Sequence, residues 1–261
     1  MNKFLLGTNW KMNKTTAEGL AYTKGLTAII PKHPAFDFFI IPPYVQLWKQ
    51  REAIDHAHSP LMLGAQNVHY EDAGQFTGEI SPVQLKEIGI NILEIGHCER
   101  RKYFNETDYT VNLKTLAALR HGFTPLVCIG DSMQEKEFGV STETLAKSLK
   151  IALHGVSAED APKVWVAYEP YWAIGVEGIP AEPEIVAEIH TALRGVLVEL
   201  YGERIGHTIP LLFGGSVNLD NAVPYAKCQD VDGLFIGRSA WQTDTFEAIM
   251  NALEAAGISG K

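Results

Sequence analysis

The sequence predicts an α/β protein, a single closed (β/α)8 barrel over residues 1–261. Three observations carry that reading. Short apolar runs rich in strand-forming residues recur eight times, amphipathic stretches separate them, and polar residues collect immediately after the runs. No low-complexity linker or break in composition divides the chain, so one domain is expected.

The eight runs are Phe4–Leu6, Phe38–Ile41, Leu61–Leu63, Ile90–Ile95, Thr124–Ile129, Val164–Tyr168, Ile209–Phe213 and Gly233–Ile236. Of the stretches between them, one opens near Pro183, places Ile185, Ile189, Val196, Leu197 and Leu200 on a face and stops at Gly202. A second starts near Thr107, turns Leu113, Leu116 and Ala117 inward and stops at His121-Gly122, and a third carries Leu145, Leu149 and Leu153 to Gly155. This alternation fits an open doubly wound sheet or a closed barrel. The first usually carries G-x-G-x-x-G after its first strand, and that motif is absent, as are a P-loop and H-E-x-x-H. The polar residues Asn9, Lys11, Gln66, Asn67, His97, Asp131, Glu169, Ser216 and Gly237 all follow strand runs. On a barrel they converge on one rim, whereas along an open edge most could not meet.

Composition narrows the function classes. The 22 basic residues against 31 acidic ones give a net charge of −9 without a Lys/Arg-rich run, which argues against nucleic acid and anionic membranes as partners. No apolar stretch is long enough to span a bilayer, and Phe4-Leu5-Leu6 is too short for a signal-peptide core. Cys98, Cys128 and Cys228 are odd in number and show no C-x-x-C spacing, so a reducing, cytoplasmic setting is expected. His56-Ala57-His58 lacks a third ligand nearby, so no metal site is expected there. Glu135-Lys136-Glu137 reads as a solvated helix face.

Five segments carry the chemistry. Glu169 ends a strand beside Pro170-Tyr171-Trp172-Ala173-Ile174-Gly175, apolar surroundings that raise a carboxyl pKa and suit a general base. A helix-start Glu accepting backbone N–H bonds is the competing reading. His97 precedes a helix beginning at Cys98, whose positive end disfavours imidazolium; a neutral imidazole could donate to a carbonyl, or His97 could merely cap. Lys11, with Asn9, could stabilise an oxyanion or phosphate, form a Schiff base, or be a surface lysine. Gly214-Gly215-Ser216 and Gly237-Arg238-Ser239 follow the seventh and eighth runs, where barrels bind phosphate through backbone N–H groups.

Taken together, these residues resemble triosephosphate isomerase over essentially the whole chain. The resemblance rests on Gly7-Thr8-Asn9-Trp10-Lys11, Gly64-Ala65-Gln66-Asn67, Gly74-Gln75-Phe76-Thr77-Gly78-Glu79, Gly96-His97-Cys98-Glu99-Arg100-Arg101, Val127-Cys128-Ile129-Gly130, Ala167 through Gly175, and Gly214-Gly215-Ser216-Val217. It implies a TIM barrel, a homodimer, and cofactor-free interconversion of a ketose and an aldose phosphate. By resemblance, Glu169 is the base, His97 the neutral electrophile, and Lys11 and Asn9 the oxyanion partners. Glu99 and Cys98 stand behind them. Gly175, Ser216, Gly237 and the following N–H, that of Arg238, hold phosphate; Pro170–Gly178 is a closing lid, and Thr77 enters the partner subunit's site.

Departures from the family pattern cluster around the ligand. Cys98 stands where the family usually has Ser, Asp131 where it has Glu, Phe213 where it has Tyr, and Arg238 where it has a second Gly. The lid reads Gly175-Val176-Glu177-Gly178-Ile179-Pro180 where Thr-Gly-Lys usually follows the first Gly. The missing Phe213 hydroxyl predicts a lid secured weakly or by other contacts. A triose phosphate is the expected substrate, with a four-carbon ketose phosphate of the erythrulose type as the alternative. A Schiff-base aldolase using Lys11 and a non-catalytic phosphate-binding barrel are the rival classes.

Overall fold

A computed structural model describes residues 3–175 and 178–260. Its strands are β1 (Phe4–Asn9), β2 (Phe36–Ile41), β3 (Met62–Ala65), β4 (Ile92–Ile95), β5 (Thr124–Ile129), β6 (Trp165–Tyr168), β7 (Leu211–Phe213) and β8 (Gly233–Ile236). They are parallel and close on themselves in chain order, with β1 paired to β2 (Asn9↔Ile41) and to β8 (Thr8↔Ile236). Every predicted run is a strand, with ends displaced by up to three residues. β1 runs on to Asn9, so this asparagine lies within a strand and not after it. β7 begins only at Leu211 because Pro210 has no N–H to give the ladder.

The helices are α1 (Thr16–Ile29), α2 (Leu47–His56), α3 (Pro82–Ile88), α4 (Cys98–Phe104), α5 (Asp108–Arg120), α6 (Met133–Glu137), α7 (Ser141–Ala152), α8 (Pro183–Gly206), α9 (Ala222–Ala226) and α10 (Thr243–Ala255). Thr15, Ser81, Thr107 and Ser132 open α1, α3, α5 and α6 through reciprocal capping boxes, which satisfy first-turn N–H groups. The regular part of α8 breaks at Gly202 (φ 76°), as expected, and a further turn reaches Gly206.

Two of the expected helix faces shift. The buried stripe of α8 is Val186, Ile189, Leu193 and Leu197, whereas Leu200 is exposed and Ile185 and Val196 are half-buried. A spacing near 3.6 residues selects the first set. In α5, Val111, Thr115, Ala117 and Ala118 face the sheet, and Leu113 and Leu116 are half-buried at the flanks, because small side chains let the helix approach closely. Leu145, Leu149 and Leu153 are buried as expected.

Alternation along the strands divides the interior in two. One set of residues packs between sheet and helices, and a second, including Leu5, Phe39, Ile92, Leu126, Ala167, Leu212 and Phe235, fills the barrel. Phe39 meets Phe235 at 5.5 Å and Trp165 at 5.6 Å and spreads over Gly7, where a Cβ would lie 2.1 Å from its ring. At the carboxyl end the same inward positions turn polar: Leu5 leads by steps of two to Asn9, Ile92 to Glu94, and Ala167 to Glu169. Toward the opposite end, buried Arg194 donates to the carbonyls of Gly206 and Ile209 and pairs with Asp230 and Asp232.

Candidate active site

Asn9, Lys11, His97, Glu99, Glu169, Gly175, Ser216, Gly237 and Arg238 line one cavity of about 500 Å3 at the carboxyl end of the strands. Nine of the eleven residues singled out from sequence therefore come together. Cys98 lies behind the cavity wall, its sulfur 3.8 Å from His97 Nδ1. Thr77 is elsewhere, within the exposed segment 71–79.

Glu169 follows β6 and is 3% exposed. Its backbone is held by N–H donation to the Ile129 carbonyl at 2.8 Å. Gly214 makes room for it, since a Cβ there would sit 2.8 Å from Glu169 Cγ. Desolvation raises its pKa to about 7; Lys11 and a hydrogen bond from Cys128 oppose this without cancelling it. Glu169 Oε2 has no hydrogen-bond partner among the described residues, so the carboxyl is not spent on a helix start.

His97 caps α4. Its Nδ1 accepts from the Glu99 N–H at 3.2 Å, which leaves the proton on Nε2, and Nε2 lies 3.7 Å from Glu169 Oε1. Burial first, then the positive charges of Lys11 and Arg100, lower its pKa to about 3. The imidazole is neutral, as expected, but burial and the neighbouring cations are the cause where the sequence pointed to the helix start.

Lys11 adopts a left-handed backbone conformation (φ 55°) beside the cavity. Two contacts hold it there: its N–H donates to Asn9 Oδ1 at 2.6 Å, and Gln66 Nε2 donates to its carbonyl at 2.9 Å. Its ammonium pairs with Glu99 Oε1 at 2.7 Å. Desolvation lowers its pKa, but the bond and charge of Glu99, with Glu169, outweigh that and leave it raised. A lysine held cationic can pair with an oxyanion and is a poor Schiff-base nucleophile, which weighs against the aldolase class.

The departures from the family pattern have structural consequences. Phe213 packs against Tyr225 at 4.6 Å, and Tyr225 OH donates to the Ala181 carbonyl at 2.7 Å, fixing the backbone just past the segment 170–178. Arg238 Nη2 donates to the Gly175 carbonyl at 3.0 Å and ties the eighth loop to the segment after β6. Buried Asp131 accepts from Ser141 Oγ, Tyr168 OH and Trp172 Nε1, holding the near end. Val176 and Glu177 of the lid lie outside the described residues. The segment 135–137 is only partly a solvated face. Lys136 stands 3.7 Å over the Trp172 ring, and Glu135 belongs to the α6 capping box.

Two donor sets approach within 4.8 Å, His97–Cys98–Glu169 and Glu94–Cys128–Glu169. Burial raises the pKa of both thiols, so a metal would have to displace their protons to bind there. Glu94 itself was missed from sequence, as was the part Gln66 plays in holding Lys11. The available signal for Glu94 was one carboxylate inside the apolar run Ile92-Leu93-Glu94-Ile95.

A family model described as triosephosphate isomerase matches residues 4–253. The chain belongs to the triosephosphate isomerase family. It is 44% identical to an L-erythrulose-1-phosphate isomerase of Rhizobium etli, over 96% of this chain and 92% of that protein. It is 41% identical to one of Mesorhizobium japonicum, over 97% and 98%. It is 40% identical to a triosephosphate isomerase of Caldanaerobacter subterraneus subsp. tengcongensis, over 96% of this chain and all of that one. Membership of this family and these relatives make the chain an isomerase. No helix among the described residues is long and apolar enough to cross a membrane.

Proposed function

We propose that the chain isomerises a small ketose phosphate, and that the ketose has four carbons, of the erythrulose 1-phosphate type. The observation that carries the reaction is the pair at the cavity wall. A buried carboxylate with a pKa of about 7 stands 3.7 Å from the N–H of a neutral imidazole. Glu169 removes the proton from the carbon next to the carbonyl. His97 Nε2–H, the Lys11 ammonium and the Asn9 amide face the two oxygens of the enediolate. Glu169 then returns the proton to the neighbouring carbon. The loops at Ser216 and at Gly237-Arg238 take the phosphate, and the segment Pro170–Gly178 shuts out water, so phosphate is retained on the intermediate.

The choice of substrate departs from the sequence-based preference for a triose phosphate. L-erythrulose-1-phosphate isomerases of 40–44% identity favour the four-carbon reading, as do the changes at Phe213 and Arg238. In a 2-ketotetrose 1-phosphate one proton passes from C3 to C2, the hydroxyl proton passes from the C3 oxygen to the C2 oxygen, and the carbonyl moves to C3. The product is then a second ketose and not an aldose. The test compares kcat/KM for L-erythrulose 1-phosphate and dihydroxyacetone phosphate on one preparation. The four-carbon substrate is expected to win by at least about tenfold, or ~1.4 kcal/mol of barrel-to-substrate preference. Parity, or preference for the three-carbon substrate, sinks the substrate assignment and leaves the isomerase intact.

Arg238 supports the phosphate and the lid together. Arg238→Ala removes a charge-assisted hydrogen bond worth about 1.5–3 kcal/mol. We expect KM for the sugar phosphate to rise by roughly tenfold or more, with kcat changed much less; steady-state kinetics that leave KM unmoved reject this role.

The chain acts as a homodimer in this reading. The exposed segment 71–79 carries Thr77 at its tip and Phe76 at 43% exposure, and the loops after β1 and β2 expose Met12 at 95% and Val45 at 85%. Sedimentation is expected to give a dimer, and Thr77→Arg to shift it toward monomer with loss of kcat. A wild-type monomer of full activity contradicts the dimer.

A further inference from the structure

Behind the catalytic wall lies a carboxyl that the proposed chemistry does not use. Glu94 points into the barrel from β4 and is fully buried (0% exposed). Its Oε2 accepts from Asn9 Nδ2 at 2.7 Å, and its Oε1 has no hydrogen-bond partner among the described residues. A carboxyl sealed from water with one hydrogen bond is an expensive side chain where a leucine would fill similar space.

The hydrogen-bond inventory of Asn9 gives it a purpose. Asn9 Oδ1 accepts from the Lys11 N–H at 2.6 Å and from Gln66 Nε2 at 2.9 Å, which occupies both lone pairs. One Nδ2 hydrogen goes to Glu94. A flipped amide would set its NH2 against two donors, so the amide has one orientation, and in it Nδ2 takes the acceptor that Glu94 Oε2 supplies. Its remaining N–H is the one polar group Asn9 has left for the cavity it lines.

Glu94 also has a charged neighbour. Oxygens of Glu94 and Glu169 and the Cys128 sulfur all lie within 4.8 Å of one another. Two anions at that spacing in a dry barrel are strongly unfavourable, so the pair holds one proton where Glu169 must be ionised to work. Burial first, then the charge of Glu169, pushes the Glu94 carboxyl well above the ordinary range; Asn9 and Lys11 pull the other way and Glu99 adds to the rise. The remaining titratable groups coupled to it are Cys98, Cys128 and Tyr44, all held neutral by burial.

We propose that Glu94 is a positioning residue: as a neutral acid it fixes the Asn9 amide with one N–H toward the substrate oxygen and leaves Glu169 as the ionised carboxyl of the pair. This rests on the isomerase reading of the site, which wild-type turnover tests by itself.

The experiment measures kcat, KM and their pH profiles for wild type, Glu94→Gln, Glu94→Leu and Glu94→Met, with the infrared spectrum of each in the carboxyl region at pH 8. Glu94→Gln keeps the shape, the acceptor and the neutrality. It is expected to retain kcat within about threefold, with the acid limb of kcat/KM unmoved and the band of a protonated carboxylic acid lost. Glu94→Leu, or Glu94→Met if that variant folds better, frees the Asn9 amide and is expected to lower kcat by at least about tenfold with little change in KM. An acid limb that moves down by a pH unit or more in Glu94→Gln means the native residue is charged and overturns the proposal. So does full kcat in either apolar variant, or a wild-type spectrum without the acid band.

Discussion

Glu169→Gln is expected to lower kcat by about 10³-fold or more while the protein folds and still binds a phosphorylated inhibitor, because a positioned base alone contributes 10²–10⁴-fold. A variant retaining a tenth of wild-type turnover removes Glu169 from the role of base. The wild-type pH profile reads the same group. With a pKa of about 7 in the free enzyme, kcat/KM should fall about tenfold per unit below that pH. His97, held at about 3, adds no inflection in the working range. A limb that breaks near pH 5 contradicts the raised value.

The same substitution should stabilise the fold. The folded value, about 7, lies above the ordinary 4.5. Between those values the folded chain keeps a proton that the unfolded chain releases, so stability falls as pH rises through the window. Above pH 7 the penalty for the buried carboxylate is complete, and the amide does not carry it. Urea unfolding is therefore expected to show Glu169→Gln more stable than wild type by up to about 3 kcal/mol at pH 8, with the advantage vanishing near pH 4.5. Equal destabilisation at both pH values would show that Glu169 holds the barrel end together and is not strained within it.

His97→Gln is the second large effect. It replaces the Nε2–H aimed at the cavity with an amide on a flexible stem, and it removes the Nδ1 acceptor that fixes the ring against the Glu99 N–H. Loss of one preorganised donor to a developing oxyanion lowers kcat by about 10²–10³-fold. The lost helix cap costs about 1 kcal/mol of stability, a smaller matter. KM should change much less than kcat, and the acid limb should stay near pH 7, because it belongs to Glu169. If His97→Gln instead shifts that limb and spares kcat, the imidazole is an electrostatic neighbour of the base and not the electrophile.

The strand runs, the helix stops at His121-Gly122 and Gly202 and the rim polar residues were legible because they depend on local periodicity and on short-range punctuation by Gly and Pro. The motifs that bring His97 and Glu169 to the cavity were legible for the same reason, since each side chain sits within a few residues of the turn that presents it. Helix faces were read less well. In α8 the inward stripe follows Val186 and Leu193, and only the angle at which the helix lies on the sheet chooses between adjacent stripes.

By itself, then, the chain's order of residues determined an eightfold α/β repeat, a carboxylate and an imidazole at strand ends, and two glycine-bearing turns after the seventh and eighth strands. Closure of the barrel decided the rest. It brings Glu94 against Asn9 across 85 residues, Glu99 against Lys11 across 88 and Arg238 against Gly175 across 63. The physical reason is that a pKa, an amide orientation or a lid tether depends on distances and on exclusion of water, and strands remote in sequence become neighbours only when the sheet meets itself.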